Sequence, residues 1–180
     1  HLADRLDIEG QPFIEAIRQM HYTVPEEDCI YIHVTLIPYL TASGELKTKP
    51  TQHSVKQLQS MGVQPDYLIC RTDYSLPESM RKKIALFCNV RLDHVIENLN
   101  CDSLYQVPLM MEKLNLADLV LKDLNFEQSK PDLTDWIQMV DRHLNPKKFV
   151  RVALVGKYIA LQDAFLSVAE SLTHAGIEYE

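Results

Sequence analysis

The sequence predicts an α/β fold with a doubly wound, mostly parallel sheet, and three observations lead to this prediction. Residues 29–38, 67–71 and 95–96 are apolar with many β-branched side chains, as expected of strands buried on both faces. Two stretches with helical spacing of apolar residues, 50–61 and 77–88, lie between these strands. The order strand–helix–strand–helix–strand indicates parallel strands joined by crossover helices.

The first helix is predicted to start at Pro50, because proline favours the first helical turn and Val55, Leu58 and Met61 then recur at helical spacing. Gly62 is expected to end it, since glycine readily adopts the left-handed conformation that closes many helices. This helix therefore fills most of the segment between the first two strands.

The second helix is predicted to open at Pro77 and to have Ile84, Phe87 and Cys88 on one face. Residues 103–124 again have a helical pattern, in which Pro108 starts a new helix. Residues 125–131 are polar without a clear period and are predicted to form a loop.

A second α/β unit is predicted to begin near residue 149. It follows a linker at 145–148 and an amphipathic helix marked by Trp136, Met139, Val140 and Leu144. Residues 150–156 are predicted to form a strand that ends in glycine, before a helix whose apolar stripe is Leu161, Phe165, Val168 and Leu172. Gly176 is expected to cap that helix and residues 177–179 to start another strand. The predicted parts are therefore 1–124, 125–148 and 149–180.

Composition excludes several classes of protein. The net charge of −7 argues against a general nucleic-acid binder. No apolar run reaches the roughly 18 residues of a membrane span, and no signal peptide is recognisable. The cysteines form no CxxC pair and the histidines no HxxxH pair, so we expect free, reduced thiols, no zinc site and a cytoplasmic location. The cysteines are Cys29, Cys70, Cys88 and Cys101.

The segment 47–54, Lys-Thr-Lys-Pro-Thr-Gln-His-Ser, is the most informative part of the chain. Lys47 and Lys49 share a side if the segment is extended, and Thr51 and Ser54 are expected to satisfy amides of the first helical turn. Two ammonium groups at the positive end of a helix predict a site for a polyanion, above all a phosphate chain. The segment also follows a predicted strand, where doubly wound sheets bind ligands. Its local pattern fits a solvated surface loop as well.

Several segments of the chain match one family together. They are Asp7-Ile-Glu9, Gln-Pro-Phe-Ile-Glu-Ala-Ile-Arg-Gln-Met at 11–20, His-Val-Thr-Leu-Ile-Pro-Tyr at 33–39, the lysine segment extended to 47–56, Gln-Pro-Asp-Tyr-Leu-Ile-Cys-Arg at 64–71, Lys-Ile-Ala-Leu-Phe-Cys-Asn-Val at 83–90, and Val-Ala-Leu-Val-Gly-Lys-Tyr at 152–158. With these segments the chain resembles the CTP synthase family, and the last of them is similar to the opening strand of the family's glutaminase domain.

The resemblance implies a P-loop-related amidoligase domain followed by the first β-α-β of a class I glutaminase domain. It implies that ATP phosphorylates UTP and that ammonia from glutamine displaces the phosphate to give CTP. ATP is then a co-substrate, Mg²⁺ a cofactor and glutamine a further substrate, with no nucleic-acid or membrane partner. The family also implies a homotetramer, and the sequence leaves open whether it assembles into filaments.

The resemblance also implies site residues, which fit the chemistry of a nucleotide site. Lysine supplies a point charge to a triphosphate, and a glutamine amide donates hydrogen bonds. The implied UTP/CTP-binding residues are Lys47, Thr48, Lys49, Pro50, Thr51, Gln52, Lys83, Asp7, Ile8 and Glu9, and the implied ATP-binding residues are Leu99, Asn100 and Cys101. Taken without the family, Lys83 also fits a surface lysine, residues 99–101 an ordinary connection, and Asp7 with Glu9 an acidic helix start.

The chain departs from the family pattern in two places. The glycine-rich phosphate loop and the acidic magnesium ligand that precede Asp-Ile-Glu in the family are absent, and residues 1–6 do not match. No cysteine here corresponds to the glutaminase nucleophile, whose position would lie beyond residue 180. We therefore expect no catalytic residue and no identifiable metal ligand in this chain, which would be incomplete and inactive alone.

Two other functions stay open from the sequence. One is a non-catalytic pyrimidine-nucleotide-binding or assembly module, and the other is a phosphate-binding α/β domain of unrelated function. A preference for UTP and CTP over purine nucleotides would exclude the unrelated domain. Turnover with glutamine would support only a CTP synthase.

Overall fold

The computed structural model describes residues 10–179, except for the side chains of Glu26 and Gln162. The described residues fall into two compact units, 10–101 with 110–129, and 102–109 with 130–179. The helices are α1 (Gln11–Thr23), α2 (Lys49–Ser60), α3 (Glu78–Cys88), α4 (Val107–Lys113), α5 (Leu116–Asp123), α6 (Thr134–Leu144) and α7 (Leu166–Tyr179). The strands are β1 (Ile32–Ile37), β2 (Tyr39–Leu40), β3 (Glu45–Leu46), β4 (Tyr67–Thr72) and β5 (Val95–Leu99).

A parallel three-stranded sheet with the order β1–β4–β5 forms the centre of the first unit. Ile32 lies opposite Tyr67, and Leu68 lies opposite Val95. Helix α2 connects β1 to β4, and α3 connects β4 to β5. The prediction of an α/β fold with a parallel sheet and crossover helices is therefore confirmed.

The core of this unit lies between one face of the sheet and the helices α2 and α3. Its buried residues come from all three strands and both helices, and full burial of each large aliphatic side chain contributes about 1.5–3 kcal/mol. They are Ile37, Val55, Leu68, Cys70, Leu76, Ile84, Ala85, Cys88 and Val95. This packing fixes where α2 and α3 begin relative to the ends of the strands.

The other face of β4 is approached by helix α5. Tyr67 precedes Leu68 in the strand, so their side chains point to opposite faces. The Tyr67 hydroxyl donates a hydrogen bond of 2.6 Å to Asp123, the last residue of α5. Helices thus contact the sheet from both sides, as a doubly wound arrangement requires.

The second unit contains α6 and α7. Helix α6 confirms the predicted amphipathic helix, and Val140 is its buried residue. Within this unit the Tyr105 hydroxyl donates to the Glu170 carboxylate at 2.6 Å, and the Tyr105 carbonyl accepts from the Trp136 indole at 2.8 Å. Polar contacts around one tyrosine therefore connect this unit's segments.

The β-α-β prediction for the end of the chain is wrong in its strands. Residues 150–156 have no strand, and Phe149 and Val155 are almost fully exposed. A strand forms only beside a hydrogen-bonded neighbour, and the predicted neighbour, 177–179, continues α7 as helix. Gly176 does not cap this helix because it does not adopt the positive φ of a glycine cap.

No disulfide joins the four cysteines, of which Cys70 and Cys88 are buried and Cys29 and Cys101 are half-buried. Burial raises the pKa of the Cys70 thiol to about 12 and that of Cys88 to about 11. Both are therefore protonated, poor nucleophiles at neutral pH. Within residues 10–179, every helix is too short or too polar to cross a bilayer.

Candidate functional site

A hairpin directly after β1 places Lys47 beside the carboxyl end of that strand. Strands β2 and β3 pair antiparallel to form this hairpin, and Gly44 in its turn has a φ of 66°, which glycine adopts without strain. The Lys47 amide donates a hydrogen bond of 2.9 Å to the Pro38 carbonyl. Lys47 is therefore tied at its backbone to the residue that follows β1.

Helix α2 begins at Lys49, with Thr48 as its N-cap residue and Pro50 in its first turn. No side chain of the described residues caps this helix start. The free amides and the helix dipole therefore make the end attractive to an anion. The sequence predicts that Lys47 and Lys49 lie on one side of an extended segment. In the structure α2 begins at Lys49, so the segment is not extended through both residues. Both lysines nevertheless line one cleft.

The predicted capping by Thr51 and Ser54 is wrong. The Thr51 hydroxyl donates to the Leu36 carbonyl at 3.1 Å and accepts from the Thr35 hydroxyl at 3.1 Å. The Ser54 hydroxyl lies 2.9 Å from His33 Nε2. Both side chains are buried against β1, where they hold α2 on the sheet. They therefore do not cap the amides of the first turn.

Helix α3 supplies the third lysine of this cleft. Ile84, Ala85 and Cys88 are buried on one face of α3, and Lys83 is exposed on the side that lines the cleft. The cleft has a volume of about 740 Å³ and is also lined by Thr48 and Pro50. We call it the lysine cleft. It brings together Lys47, Lys49 and Lys83 although 33 residues of chain separate the second and third of them in the sequence.

The three lysines of the cleft differ in their electrostatic surroundings. The Lys47 ammonium forms an ion pair with the Glu45 carboxylate, which holds the pKa of that carboxyl below its usual range. Among residues 10–179, Lys49 and Lys83 have no ion-pair partner. Two positive charges therefore face the cleft without a neutralising acid from the described part of the chain.

Two of the predicted nucleotide contacts already have partners within the protein. The Gln52 amide donates to the Thr48 hydroxyl at 3.1 Å, and Thr51 is anchored to β1 as described above. Neither Gln52 nor Thr51 lines the lysine cleft. Their side chains therefore shape the helix start that the lysines flank.

The predicted ATP-binding residues lie at the same edge of the sheet but outside the lysine cleft. Leu99 ends β5, and the backbone N–H of Asn100 donates a hydrogen bond of 3.2 Å to the Thr72 carbonyl at the end of β4. The half-buried Cys101 follows. Strand β4 lies between β1 and β5. The cleft lysines and the predicted ATP-binding residues are therefore two strand spacings apart, roughly 10 Å in total. Asp7, Ile8 and Glu9 lie outside the described residues.

The sequence interpretation missed Glu45, Ser79 and Met80, which also line the cleft. Glu45 could have been found, because it precedes Lys47 by two residues in an extended segment and therefore shares its side. Ser79 and Met80 had no local signal, since only the packing of α3 brings them there. The lining side chains suit electrostatic binding of an anion, and the cysteine thiols lie elsewhere.

Comparison with known proteins places these features in one family. The model of the CTP synthase N-terminus matches residues 5–126. The CTP synthase of Symbiobacterium thermophilum is 57% identical over 172 residues, which are 95% of this chain and 32% of that protein. The CTP synthase of Methanocaldococcus jannaschii is 53% identical over 170 residues, 94% of this chain and 32% of that protein. The chain spans about a third of the length of these curated relatives. From its matched residues and its α/β architecture, the chain belongs to the CTP synthase family.

Proposed function

We propose that this protein takes part in the ATP-dependent amination of UTP to CTP, with glutamine as the source of ammonia, and that the lysine cleft holds the triphosphate of UTP or CTP. The observation that carries this proposal is the convergence of Lys47, Lys49 and Lys83 on one cleft at the start of α2. The relatives are named CTP synthases, which supports the proposed reaction. The cleft is a suitable place for its anionic substrate.

The charges and size of the cleft support a triphosphate ligand. Two lysines without described acidic partners and an uncapped helix start all favour negative charge at the same place. The volume of about 740 Å³ lies within the usual range of small-molecule sites. Thr48 and Pro50 would line the phosphate chain, and the pyrimidine would extend away from it.

The ATP co-substrate would bind beside β5, at Leu99, Asn100 and Cys101. Support comes from their position, because the roughly 10 Å between the ends of β1 and β5 allows two nucleotides to approach one another at one edge of the sheet. Asp7, Ile8 and Glu9 would complete the pyrimidine site, as the family resemblance implies.

The described residues do not form a magnesium site from protein side chains alone. Within residues 10–179, no three side chains of His, Cys, Asp or Glu come together closely enough to hold a metal ion. The proposed contribution of the described residues is to bind and orient nucleotide phosphates.

We also assign residues 149–180 to the start of a glutaminase domain. The similarity to relatives covers 95% of the chain, whereas the N-terminal family model stops at residue 126. A homotetramer in the cytoplasm is part of the same proposal.

Calorimetric titration of the protein with UTP, CTP, ATP and uridine tests the proposed ligand. We expect UTP and CTP to bind more tightly than ATP at the lysine cleft, and uridine to bind weakly because it has no phosphate. Lys83→Ala should weaken UTP binding at least about tenfold, since it removes a charge-assisted contact.

Lys82→Ala is the matched control for Lys83→Ala. Lys82 neighbours Lys83 on α3, but it pairs with Glu78 at 2.7 Å outside the cleft. The UTP affinity of Lys82→Ala should stay within about twofold of that of the unaltered protein, because exposed ion pairs contribute little. Equal losses in the two variants, or no preference for pyrimidine triphosphates, would contradict the proposal.

A further inference from the structure

Glu45 stands out because it is an acidic side chain in a cleft whose other charged lining residues are lysines. It lies on β3, is paired through the hairpin with Leu40, and lines the lysine cleft together with Lys47. Glu45 and Lys47 are two residues apart in an extended segment, so their side chains share a side and form an ion pair. The hairpin therefore holds a carboxylate against one of the three cleft lysines.

This arrangement sets Lys47 apart from the other cleft lysines. Its ammonium already has an anionic partner, whereas Lys49 and Lys83 have none among residues 10–179. A phosphate oxygen that reaches Lys47 must displace the Glu45 carboxylate. The carboxylate belongs to the same short hairpin, so it competes at high effective concentration.

We propose that Glu45 is an internal counter-anion that competes with the phosphate chain for Lys47 and so limits the affinity of the lysine cleft for polyphosphates. The inference rests on the proposed function of the cleft as a phosphate site. It assigns to Glu45 a role opposite to that of a ligand-binding residue, although both would line the same cleft.

The sign of the effect of a substitution separates these two roles. If Glu45 competes for Lys47, its neutralisation tightens polyphosphate binding. If Glu45 instead accepts a hydrogen bond from the ligand, its neutralisation weakens binding. Both side chains are partly exposed, and exposed ion pairs are weak, so the gain should be about two- to fivefold.

The test uses inorganic tripolyphosphate, which has the charges of the nucleotide and no base or ribose. Its dissociation constant is measured by calorimetry at low ionic strength for the unaltered protein, Glu45→Gln, and Glu78→Gln as the matched control. Glu78 also pairs with a lysine on the surface, but outside the cleft. We expect Glu45→Gln to bind about two- to fivefold more tightly and Glu78→Gln to match the unaltered protein.

Repeating the Glu45→Gln change in a Lys47→Ala protein shows whether the gain in tripolyphosphate affinity acts through Lys47. In Lys47→Ala, the change Glu45→Gln should lose most of its effect, because the group that it releases is gone. Weaker or unchanged binding by Glu45→Gln, an undiminished gain without Lys47, or no tripolyphosphate binding at all would overturn the inference. If tripolyphosphate binds as expected but UTP has no advantage over ATP, the inference stands and the proposed pyrimidine selectivity fails.

Discussion

The two ends of the parallel sheet differ in whether their polar and charged side chains have partners within the protein. At the amino edge, Asp66 accepts a hydrogen bond of 2.7 Å from the Tyr31 amide, and its carbonyl lies 2.9 Å from His94 Nδ1. The buried His94 ring stacks on Tyr67 with 3.9 Å between ring centroids, and both side chains face the Asp123 carboxylate. At the carboxyl edge, Lys49 and Lys83 are exposed and have no acidic partner among residues 10–179.

The difference separates charges that serve the fold from charges that we propose to bind a ligand. Burial, followed by the hydrogen bond to Asp123, raises the pKa of Tyr67, so this phenol stays protonated and serves the fold. At the other edge, Lys47, Lys49 and Lys83 line one cleft, and only Lys47 has an acidic partner among the described residues. Unrelieved like charge costs stability, which a bound anion would restore. We therefore expect substitutions at the amino edge to change folding and those at the carboxyl edge to change binding.

The largest expected effect is the charge reversal Lys49→Glu. It removes an attraction to phosphate and adds a repulsion, so UTP affinity should fall more than about a hundredfold. The free energy of unfolding should be unchanged or slightly higher, because an acidic residue suits a helix start. Lys56→Glu, an exposed position farther along α2, makes the same charge change as a control. Similar losses of affinity in both variants would mean that net charge matters and the cleft does not.

The next largest effect is expected at the amino edge. Asp123→Ala leaves the buried Tyr67 hydroxyl without its acceptor, which should lower the free energy of unfolding by about 1–3 kcal/mol in urea denaturation. UTP affinity should remain within about twofold. Lys122→Ala on the same helix is the control and should change stability by less than about 0.5 kcal/mol. A stable Asp123→Ala protein with weakened UTP binding would reverse the assigned roles of the two edges.

Between the edges, the Cys70 thiol should make stability depend on alkaline pH. Its folded pKa is raised to about 12, so the unfolded thiol ionises first, from about pH 9. The contribution of Cys70 is therefore fully present below pH 9 and is lost as pH rises towards 12, by about 1.4 kcal/mol per pH unit. Urea denaturation at pH 8, 9 and 10 should show a shallower pH dependence for Cys70→Ala than for the unaltered protein. Parallel curves would contradict this account.

The smallest effect is expected for Gln52→Ala. The family resemblance assigns Gln52 to the nucleotide site, but in the structure its amide is bonded to Thr48 and lies outside the cleft. Its loss should lower UTP affinity less than about threefold, far less than Lys49→Glu does. Titration of the two variants in parallel checks this order. A tenfold or greater loss for Gln52→Ala would show that the amide leaves Thr48 to bind the ligand.

Local pattern predicted the elements whose partners are present among the described residues. Residues 29–38 and 150–156 have similar apolar, β-branched sequences, yet only the first forms a strand, because β4 lies beside it. The amphipathic pattern of α6 was sufficient, since a helix satisfies its own backbone. A strand depends on another segment, and no periodicity within it reports whether that segment is available.

The lining of the lysine cleft was predictable to the extent that it is local. Lys47 and Lys49 followed from spacing and from Pro50, whereas the contribution of Lys83 required the family resemblance. Thr51 was predicted to cap the start of the helix, but its hydroxyl donates to the Leu36 carbonyl. Only the packing of α2 on β1 brings that carbonyl within reach. The contact between Tyr67 and Asp123 joins residues 56 positions apart, and nothing local signals it.

Chemical footprinting of the lysines with UTP tests the central claim most directly. The protein is acetylated for a short time with and without saturating UTP, and modification of each lysine is quantified by mass spectrometry. UTP should protect Lys47, Lys49 and Lys83 together, while Lys56, Lys82 and Lys122 in the same molecules should react equally in both samples. Protection that is absent, uniform over all lysines, or confined to lysines outside the cleft would contradict the assignment of this cleft to the triphosphate.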